Sequence, residues 1–376
     1  MPGLLPDVDP EGLLEFSVVF TDRSLNHMSN RFQDVMNDIS ATLKQVYNAA
    51  GVAVVPGGGT YGMEAVARQF ATEQHCLVIR NGFFSFRWTQ IFEMGSIPAS
   101  HTVCMARRTS DSKAAPFAPV PVEEVCETIR DEKPAVVFAP HVETASGIIL
   151  PDDYIKAVTE ATHEVGGLFV LDCIASGAAW VDMQAVGADI LISAPQKGWS
   201  ASPCSALVML SETAMERIEE TTSTSFAIDL KKWLQIMQTY ENGGHAYHAT
   251  MPTDSLTQFR DTMMESAQVG FETLKARQFE LGGKVRAMLA ERGIQSVAAE
   301  GFEAPGVVVS YTDRGDVQNG SAFVPAGMQI AAGVPLQCNE GDDYQSFRLG
   351  LFGLDKLGNI DRTVAALGDA LDEVLA

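Results

Sequence analysis

The sequence predicts an α/β protein in which a large domain, built on a doubly wound and mostly parallel sheet, is joined to a smaller C-terminal α+β domain. Three observations lead to this prediction. Between residues 52 and 204, short apolar segments alternate with helix-like segments, which is typical of a parallel sheet covered on both faces. After residue 252 the alternation ends and a long helical segment follows. The length of 376 residues is also sufficient for two domains.

The elements of the large domain follow from short apolar runs and from apolar residues that recur three or four positions apart. Strands are predicted at 52–55, 77–80, 102–105, 135–139, 168–171, 190–193 and 206–210. Helices are predicted at 62–69, 122–129, 152–165 and 183–186. Because strands and helices alternate, we expect the helices to be crossovers between neighbouring parallel strands.

The elements of the small domain begin with one long helical segment at 253–292, which has candidate N-caps at Thr253, Asp254 and Ser255 and a stop at Gly293. Strands are then predicted at 306–311 and 347–351, and a final helix from about 359 to 375. The sequence contains no internal repeat and no low-complexity linker. We therefore expect an N-terminal arm at 1–25, a large domain at 26–252 and a small domain at 253–376.

Composition and charge restrict the possible partners. The formal net charge of -22 argues against nucleic acid and against an anionic membrane, since both attract basic surfaces. Any anionic ligand must therefore be held by local donors. The N-terminal nine residues lack the basic flank of a signal peptide, and no run of about 18 uncharged apolar residues occurs. We expect a cytoplasmic protein.

The cysteines are far apart in the sequence, and no Cys-x-x-Cys pair or histidine at metal-binding spacing accompanies them. Reduced thiols in the core are the expected state, and no metal site is predicted. The six positions are Cys76, Cys104, Cys126, Cys173, Cys204 and Cys338.

Two charged residues follow apolar strands: Asp172 ends one strand and Lys197 comes shortly after the next. Neighbouring parallel strands joined by a helix would bring both residues to the edge of the sheet where ligands bind in open α/β folds. Alone, Asp172 could be a helix-capping acid and Lys197 a lysine that reaches solvent from a strand end. Together they fit pyridoxal 5′-phosphate (PLP), whose aldehyde takes a lysine as a Schiff base and whose pyridinium nitrogen requires an anion.

A glycine-rich loop at 56–60 follows a strand and opens a helix, so its backbone N–H groups are free to bind a phosphate. The same stretch fits the dinucleotide fingerprint through Gly57, Gly59 and Gly62, which leaves an NADP-dependent oxidoreductase as an alternative. That fingerprint requires an acid at the end of the next strand, where this sequence has Arg80. An arginine would suit a 2′-phosphate, and a purely structural glycine turn is a further alternative.

Seven motifs, in register from about residue 26 to the C-terminus, resemble those of the class V aminotransferases, in particular the alanine–glyoxylate and serine–glyoxylate members. They are GGGTYGME (57–64), NGFF (81–84), HVETASG (141–147), LDCIAS (171–176), SAPQK (193–197), YHATMP (247–252) and FRLG (347–350). The resemblance implies the PLP-dependent transferase fold of type I, a homodimer and a transaminase that carries an amino group from a small amino acid (alanine, serine or aspartate-like) to glyoxylate or pyruvate.

The resemblance also implies residue roles. Lys197 would form the Schiff base, Asp172 would pair with the pyridine nitrogen, and Arg348 would clamp the substrate carboxylate. The remaining cofactor contacts implied are Gly58, Gly59 and Thr60 at the phosphate, Phe84 stacked on the ring, Thr144 and Gln196 as polar contacts, and Tyr247 and Thr250 reaching the neighbouring subunit's phosphate.

Two features leave alternatives open. Cys338 lies ten positions before Arg348, where PLP-dependent cysteine desulfurases carry a nucleophilic cysteine, although the Ser-rich loop of those lyases is missing. Residues 19–29 depart from the Pro-Gly-Pro-Thr-like start of the family, which puts the amino-acid preference in doubt, and Arg23 there could add a second anion contact. A non-catalytic regulator that binds PLP is a third possibility, which the intact Lys197, Asp172 and Arg348 speak against.

Overall fold

The computed structural model describes residues 13–376. The nine N-terminal residues assessed for a targeting signal, and about half of the predicted arm at 1–25, lie outside the described residues.

A seven-stranded sheet forms the centre of the large domain, and each of its strands falls where the sequence predicts one. Its order is β1-β7-β6-β5-β4-β2-β3, and β7 is the strand that runs antiparallel to its two neighbours. Every residue of β4 to β7 is buried, so both faces of the sheet are covered. The strands are β1 Gly51–Pro56, β2 His75–Arg80, β3 Ser100–Met105, β4 Val136–Pro140, β5 Leu168–Asp172, β6 Ile190–Ser193 and β7 Ser205–Leu210.

The helices of the large domain include the four that the sequence predicts and four that it did not. The predicted ones are α2 Gly59–Phe70, α4 Val122–Glu132, α5 Asp152–Glu164 and α6 Met183–Val186; the others are α1 Asn30–Tyr47, α3 Phe83–Gly95, α7 Glu212–Glu220 and α8 Leu230–Glu241. Helix α3 escaped prediction because its first residues are aromatic and apolar nearly all round, so that helical periodicity is weak.

The long segment after residue 252 is two helices rather than one, which corrects the prediction. Helix α9 Thr253–Val269 ends where Gly270 takes a φ of 94°, and α10 Phe271–Glu291 continues from there. A glycine tolerates that φ without steric cost, so the chain turns between the helices. The predicted N-caps are also wrong: Pro252 occupies the cap position, and Asp254 accepts a hydrogen bond from the Leu25 amide instead.

A second, three-stranded antiparallel sheet follows, in the order β8-β10-β9. Its long strands, β8 Val307–Tyr311 and β10 Ser346–Gly350, match the prediction, whereas the two-residue β9 Ala331–Ala332 was not predicted. The remaining helical elements are α11 Gly315–Gln318, a 3₁₀ turn Ser321–Phe323, α12 Leu354–Gly358 and α13 Ile360–Leu375. Two short hairpins also form: one pairs Arg107–Arg108 with Phe117–Ala118, and the other pairs Val142–Glu143 with Ile148–Ile149.

The core is continuous through the large sheet and the helices around it, and all six cysteines are buried free thiols, as predicted. Helix α9 packs against α1, and α10 packs against α13. Within residues 13–376, no helix combines the length and the apolar character needed to cross a membrane. The division of the chain at Pro252 stays a prediction.

Candidate active site

A cavity of about 420 Å³ lies where the large sheet meets the small one. Asp172 ends β5 there, and the segments that follow β1, β4 and β6 supply further walls. Eight of the site residues predicted from the sequence line it: Gly59, Thr60, Phe84, Thr144, Asp172, Gln196, Lys197 and Arg348. The other lining residues are Met63, Arg87, Pro140, Val142, Ile174, Ala175, Val307, Ala331, Gly350 and Phe352.

Lys197 and Asp172 meet at this cavity because their strands are neighbours. Strands β5 and β6 are parallel, and Ile192 is in register with Asp172. The Lys197 amine lies 5.3 Å from the centre of the Phe352 ring and has no hydrogen-bond partner among residues 13–376. Burial, and then the like charges of Arg348 and Arg87, lower the pKa of Lys197. The amine therefore loses its proton more readily than that of an ordinary lysine.

Asp172 is a buried carboxylate with one oxygen bound and one available. Its Oδ1 accepts a hydrogen bond of 2.9 Å from the Ile174 amide, while Oδ2 receives none from the described residues. Burial raises the pKa of Asp172 to about 7; the Ile174 amide opposes this rise, Glu143 adds to it, and Arg87 opposes it. A buried acid of this kind requires a cationic partner before it can be fully ionised near neutral pH.

The glycine-rich loop presents free backbone donors to the same cavity. Helix α2 starts at Gly59, and the amides of Gly59 and Thr60 have no acceptor in the described part of the chain. A Cβ on Gly58 would meet nothing within 4 Å, so the space in front of the loop is open. A Cβ on Gly59 would lie 2.5 Å from the Cδ1 atom of Ile174, which explains the glycine there.

The dinucleotide alternative is wrong on topology. The fingerprint requires a βαβ unit whose two strands are parallel neighbours. Here β1 lies at the edge of the sheet beside antiparallel β7, and four strands separate it from β2. Arg80, proposed to take a 2′-phosphate, donates to Thr89 and to the Gln337 carbonyl.

Arg348, on β10, lines the part of the cavity that the small sheet forms. Its Nε donates 2.7 Å to the Ala332 carbonyl, and its guanidinium carbon lies 5.5 Å from the centre of the Phe84 ring. Burial lowers the pKa of Arg348. The backbone of the small sheet thus fixes the arginine while leaving its terminal nitrogens toward the cavity, where Nη1 makes one long contact of 3.5 Å to the Thr144 carbonyl.

Three residues of functional interest were missed in the sequence. Arg87 and Phe352 line the cavity, and Glu143 lies buried behind it. The Glu143 carboxylate accepts hydrogen bonds from the amides of Phe84, Ser85 and Ala145 and from the Ser85 hydroxyl, at 2.7 to 3.1 Å. An acid inside the apolar segment 138–149 was the signal that could have identified it.

Some predicted residues lie elsewhere. Tyr247 and Thr250 do not line the cavity; they are exposed and hydrogen-bond each other at 3.1 Å. Arg23 is exposed and does not line it either. Cys338 is only 4% exposed, and burial raises its pKa to about 12, so this thiol lacks the properties of a nucleophile. In the described part of the chain, no group of His, Cys, Asp and Glu is arranged to hold a metal ion.

The groups that line the cavity match the binding requirements of PLP. Asp172 offers a free carboxylate oxygen, Lys197 an unpartnered amine and the start of α2 free amides, which are the three groups that the cofactor requires. The buried Oε1 atom of Gln196 also lacks a partner among residues 13–376. The Asp172 oxygen, the Lys197 amine and the helix amides would each gain a partner if PLP binds.

Comparison with known proteins points the same way. The family model described as aminotransferase class-V matches residues 15–308. The chain is 26% identical over 361 residues to alanine–glyoxylate aminotransferase of Oryctolagus cuniculus, covering 92% of this chain and 86% of that one. It is 25% identical over 383 residues to a protein named soluble hydrogenase, small subunit, of Synechococcus sp., and the match covers 100% of this chain and 92% of that protein. The crystal structure of alanine–glyoxylate aminotransferase from Nostoc sp. superimposes with a TM-score of 0.75 at 21% identity, and the match covers 92% of this chain and 88% of that one.

Proposed function

Because the chain belongs to the class-V aminotransferase family and is a PLP-dependent transaminase, we propose that its donor is a small amino acid of the alanine, serine or aspartate type and its acceptor a small 2-oxo acid such as glyoxylate or pyruvate. One observation carries this proposal: Lys197, Asp172 and Arg348 all line a single cavity. The name of the rabbit relative, alanine–glyoxylate aminotransferase, supports the choice of substrates.

We assign the cofactor contacts as follows. Asp172 would pair with the ring nitrogen, the amides of Gly59 and Thr60 would hold the phosphate beside Gly58, and Phe84 would pack against the ring. Thr144 and Gln196 complete the polar contacts. When bound, PLP supplies an electron sink for the negative charge that develops on the substrate α-carbon.

The protein's own groups carry out the proton transfer. The Lys197 amine would remove the proton from the substrate α-carbon as a general base and then, as a general acid, donate it to the cofactor carbon C4′, which is the carbon of the former aldehyde. This role requires a neutral amine, which the lowered pKa of Lys197 favours. Arg348 holds the substrate carboxylate in a bidentate contact and so orients the α-carbon toward Lys197.

We further propose that two chains form the active unit, with Tyr247 and Thr250 donating to the phosphate in the partner's cavity. Both side chains are exposed and lie outside the cavity of their own chain, which supports a role toward a second chain. Tyr61, Phe226 and Met94 are further exposed large apolar side chains that such an interface could cover.

Borohydride reduction of the PLP-loaded protein, followed by peptide mapping, tests the assignment of Lys197. We expect the cofactor to be attached to Lys197 alone, and alanine, serine or aspartate to donate their amino group to glyoxylate or pyruvate. Attachment to another lysine, or a protein that stays colourless after incubation with PLP, would refute the assignment. Turnover confined to large amino acids would refute the choice of substrates.

A further inference from the structure

Arg87 is a second arginine in the cavity, besides Arg348. It lies on α3, one turn after Phe84, and its half-buried side chain lines the cavity. No carboxylate among residues 13–376 forms an ion pair with it. Apart from the bond from Nη1 to Thr60, its side-chain N–H groups make no hydrogen bond within residues 13–376, so they are available to an anionic ligand that enters the cavity.

The position of Arg87 shows which end of the cavity that anion would occupy. Its Nη1 donates 3.3 Å to the Thr60 hydroxyl, at the start of α2. Its guanidinium carbon lies 4.7 Å from the centre of the Phe84 ring, and this contact keeps the side chain against the wall of the cavity. The charge of Arg87 is therefore next to the free amides of Gly59 and Thr60.

We infer that Arg87 binds the phosphate of PLP, together with the N-terminal amides of α2. This inference rests on the proposed function and adds to it a residue that the sequence motifs did not indicate. The need for such a residue follows from the charge of the protein: at a formal net charge of -22, no long-range field favours an anion, so local donors must hold it. Arginine suits this task because its planar fork donates two parallel hydrogen bonds to a phosphate.

An alternative ligand for Arg87 is a second carboxylate on the substrate. The contact with Thr60 argues against it, because Thr60 and the free amides lie at the helix start, whereas the substrate arginine Arg348 is held by the small sheet. Two anions at one helix start would also repel each other. The phosphate is the ligand that the arrangement favours.

The test compares PLP with pyridoxal, which has the same ring and aldehyde but no phosphate. Dissociation constants are measured by absorbance titration of the cofactor-free protein, for the wild type and for Arg87→Met. We expect Arg87→Met to weaken PLP binding about tenfold to a hundredfold, the usual effect of losing a charge-assisted hydrogen bond. Pyridoxal binding should change little. The preference for PLP over pyridoxal should therefore shrink by the same factor.

Arg108→Met is the matched control, since Arg108 also lies over a phenylalanine ring, at 5.1 Å from that of Phe117, but outside the cavity. It should keep the wild-type preference for PLP. If Arg87→Met does not fold, Arg87→Lys retains the charge without the fork, and PLP binding alone should weaken severalfold.

The inference is overturned by three results. Equal weakening of PLP and pyridoxal would mean that Arg87 only supports Phe84. Unchanged PLP binding with weaker binding of a dicarboxylate amino acid would assign Arg87 to the substrate. A wild-type protein that binds neither PLP nor pyridoxal would remove the proposed function itself, which distinguishes the two failures.

Discussion

Asp172 and Lys197 show how one buried environment shifts an acid and a base in opposite directions. Burial disfavours the charged form of each group, so the pKa of Asp172 rises to about 7 and that of Lys197 falls. Arg348 and Arg87 repel a proton on Lys197, and Glu143 repels a negative charge on Asp172. Both shifts reflect the cost of burying a charged group in the cofactor-free protein, and the pyridinium of PLP would offset this cost at Asp172 if the cofactor binds as proposed.

This cost predicts a pH-dependent gain in stability for Asp172→Asn in the cofactor-free protein. The folded pKa of about 7 exceeds the ordinary 3.8, so the folded state binds the proton more tightly, and stability falls as the pH rises from about 4 to about 7. Asparagine keeps an acceptor for the Ile174 amide and has no charge to bury. Urea unfolding should show equal stability near pH 4 and a gain of up to about 4 kcal/mol above pH 7.

Addition of PLP is the control for this prediction. If PLP binds as proposed, its pyridinium gives the Asp172 carboxylate a cationic partner, and the advantage of asparagine should disappear or reverse. A gain that is the same at pH 4 and pH 8 would show that packing rather than ionisation is responsible.

The residues that sequence reasoning located are those whose position follows from strand ends. Asp172 and Lys197 could be placed together because parallel strands end at one edge, and the glycines because a loop opens α2. Arg87 and Phe352 could not, since their direction depends on where α3 starts and on how the segment after β10 folds back. Neither fact is encoded in local periodicity.

At the scale of elements, the start of α3 is held by a side chain from a distant segment. Glu143 caps the amides of Phe84 and Ser85, and Gly82 leaves room for it, because a Cβ there would lie 2.7 Å from the Glu143 side chain. This cap fixes where α3 begins and therefore the direction of Phe84 and Arg87. The helix was missed in the sequence partly because its cap is not local.

Replacement of Glu143 by alanine should destabilise the protein by about 2–4 kcal/mol, because it leaves several buried amides without an acceptor. Glu143→Gln retains one acceptor oxygen, and we expect about half that loss. Chemical denaturation of the cofactor-free protein measures both. Glu164→Ala, which removes an acid paired with Arg130 on the surface, is the control and should change the stability little, because both partners are exposed to water. A loss for Glu143→Ala no larger than the control's would contradict the capping role.

The break at Gly270 illustrates a second limit of sequence reasoning at this scale. Apolar residues continue at helical spacing on both sides of it, so the pattern predicts one helix through 253–292. A single glycine within a helix costs only about 1 kcal/mol, and local pattern alone does not decide whether the chain turns there. Packing of α9 against α1 and of α10 against α13 decides it.

At the scale of the whole molecule, the cavity is walled by both sheets, and a second chain would complete it if the proposed dimer forms. The large sheet supplies Asp172 and Lys197, and the small sheet supplies Arg348. Tyr247 and Thr250 belong to neither wall in their own chain. The sequence alone could not show that these two side chains are exposed. It showed only that they match family positions that act across subunits.

Mixed dimers test this arrangement directly. A chain with Lys197→Ala lacks the reactive amine, and a chain with Tyr247→Ala and Thr250→Ala lacks the donors for its partner's phosphate. Consider a dimer that contains one chain of each kind, with the donors acting across the interface. The site of the Lys197→Ala chain then lacks both the amine and the partner's donors, whereas the other site has its own Lys197 and receives intact donors. Purified through two different affinity tags, such dimers should show about half the wild-type transaminase activity. Each parent homodimer should be far less active. The mixed dimer is verified by sedimentation. If its activity is no higher than that of the parents, Tyr247 and Thr250 do not act on the partner's cavity, and the shared site is refuted.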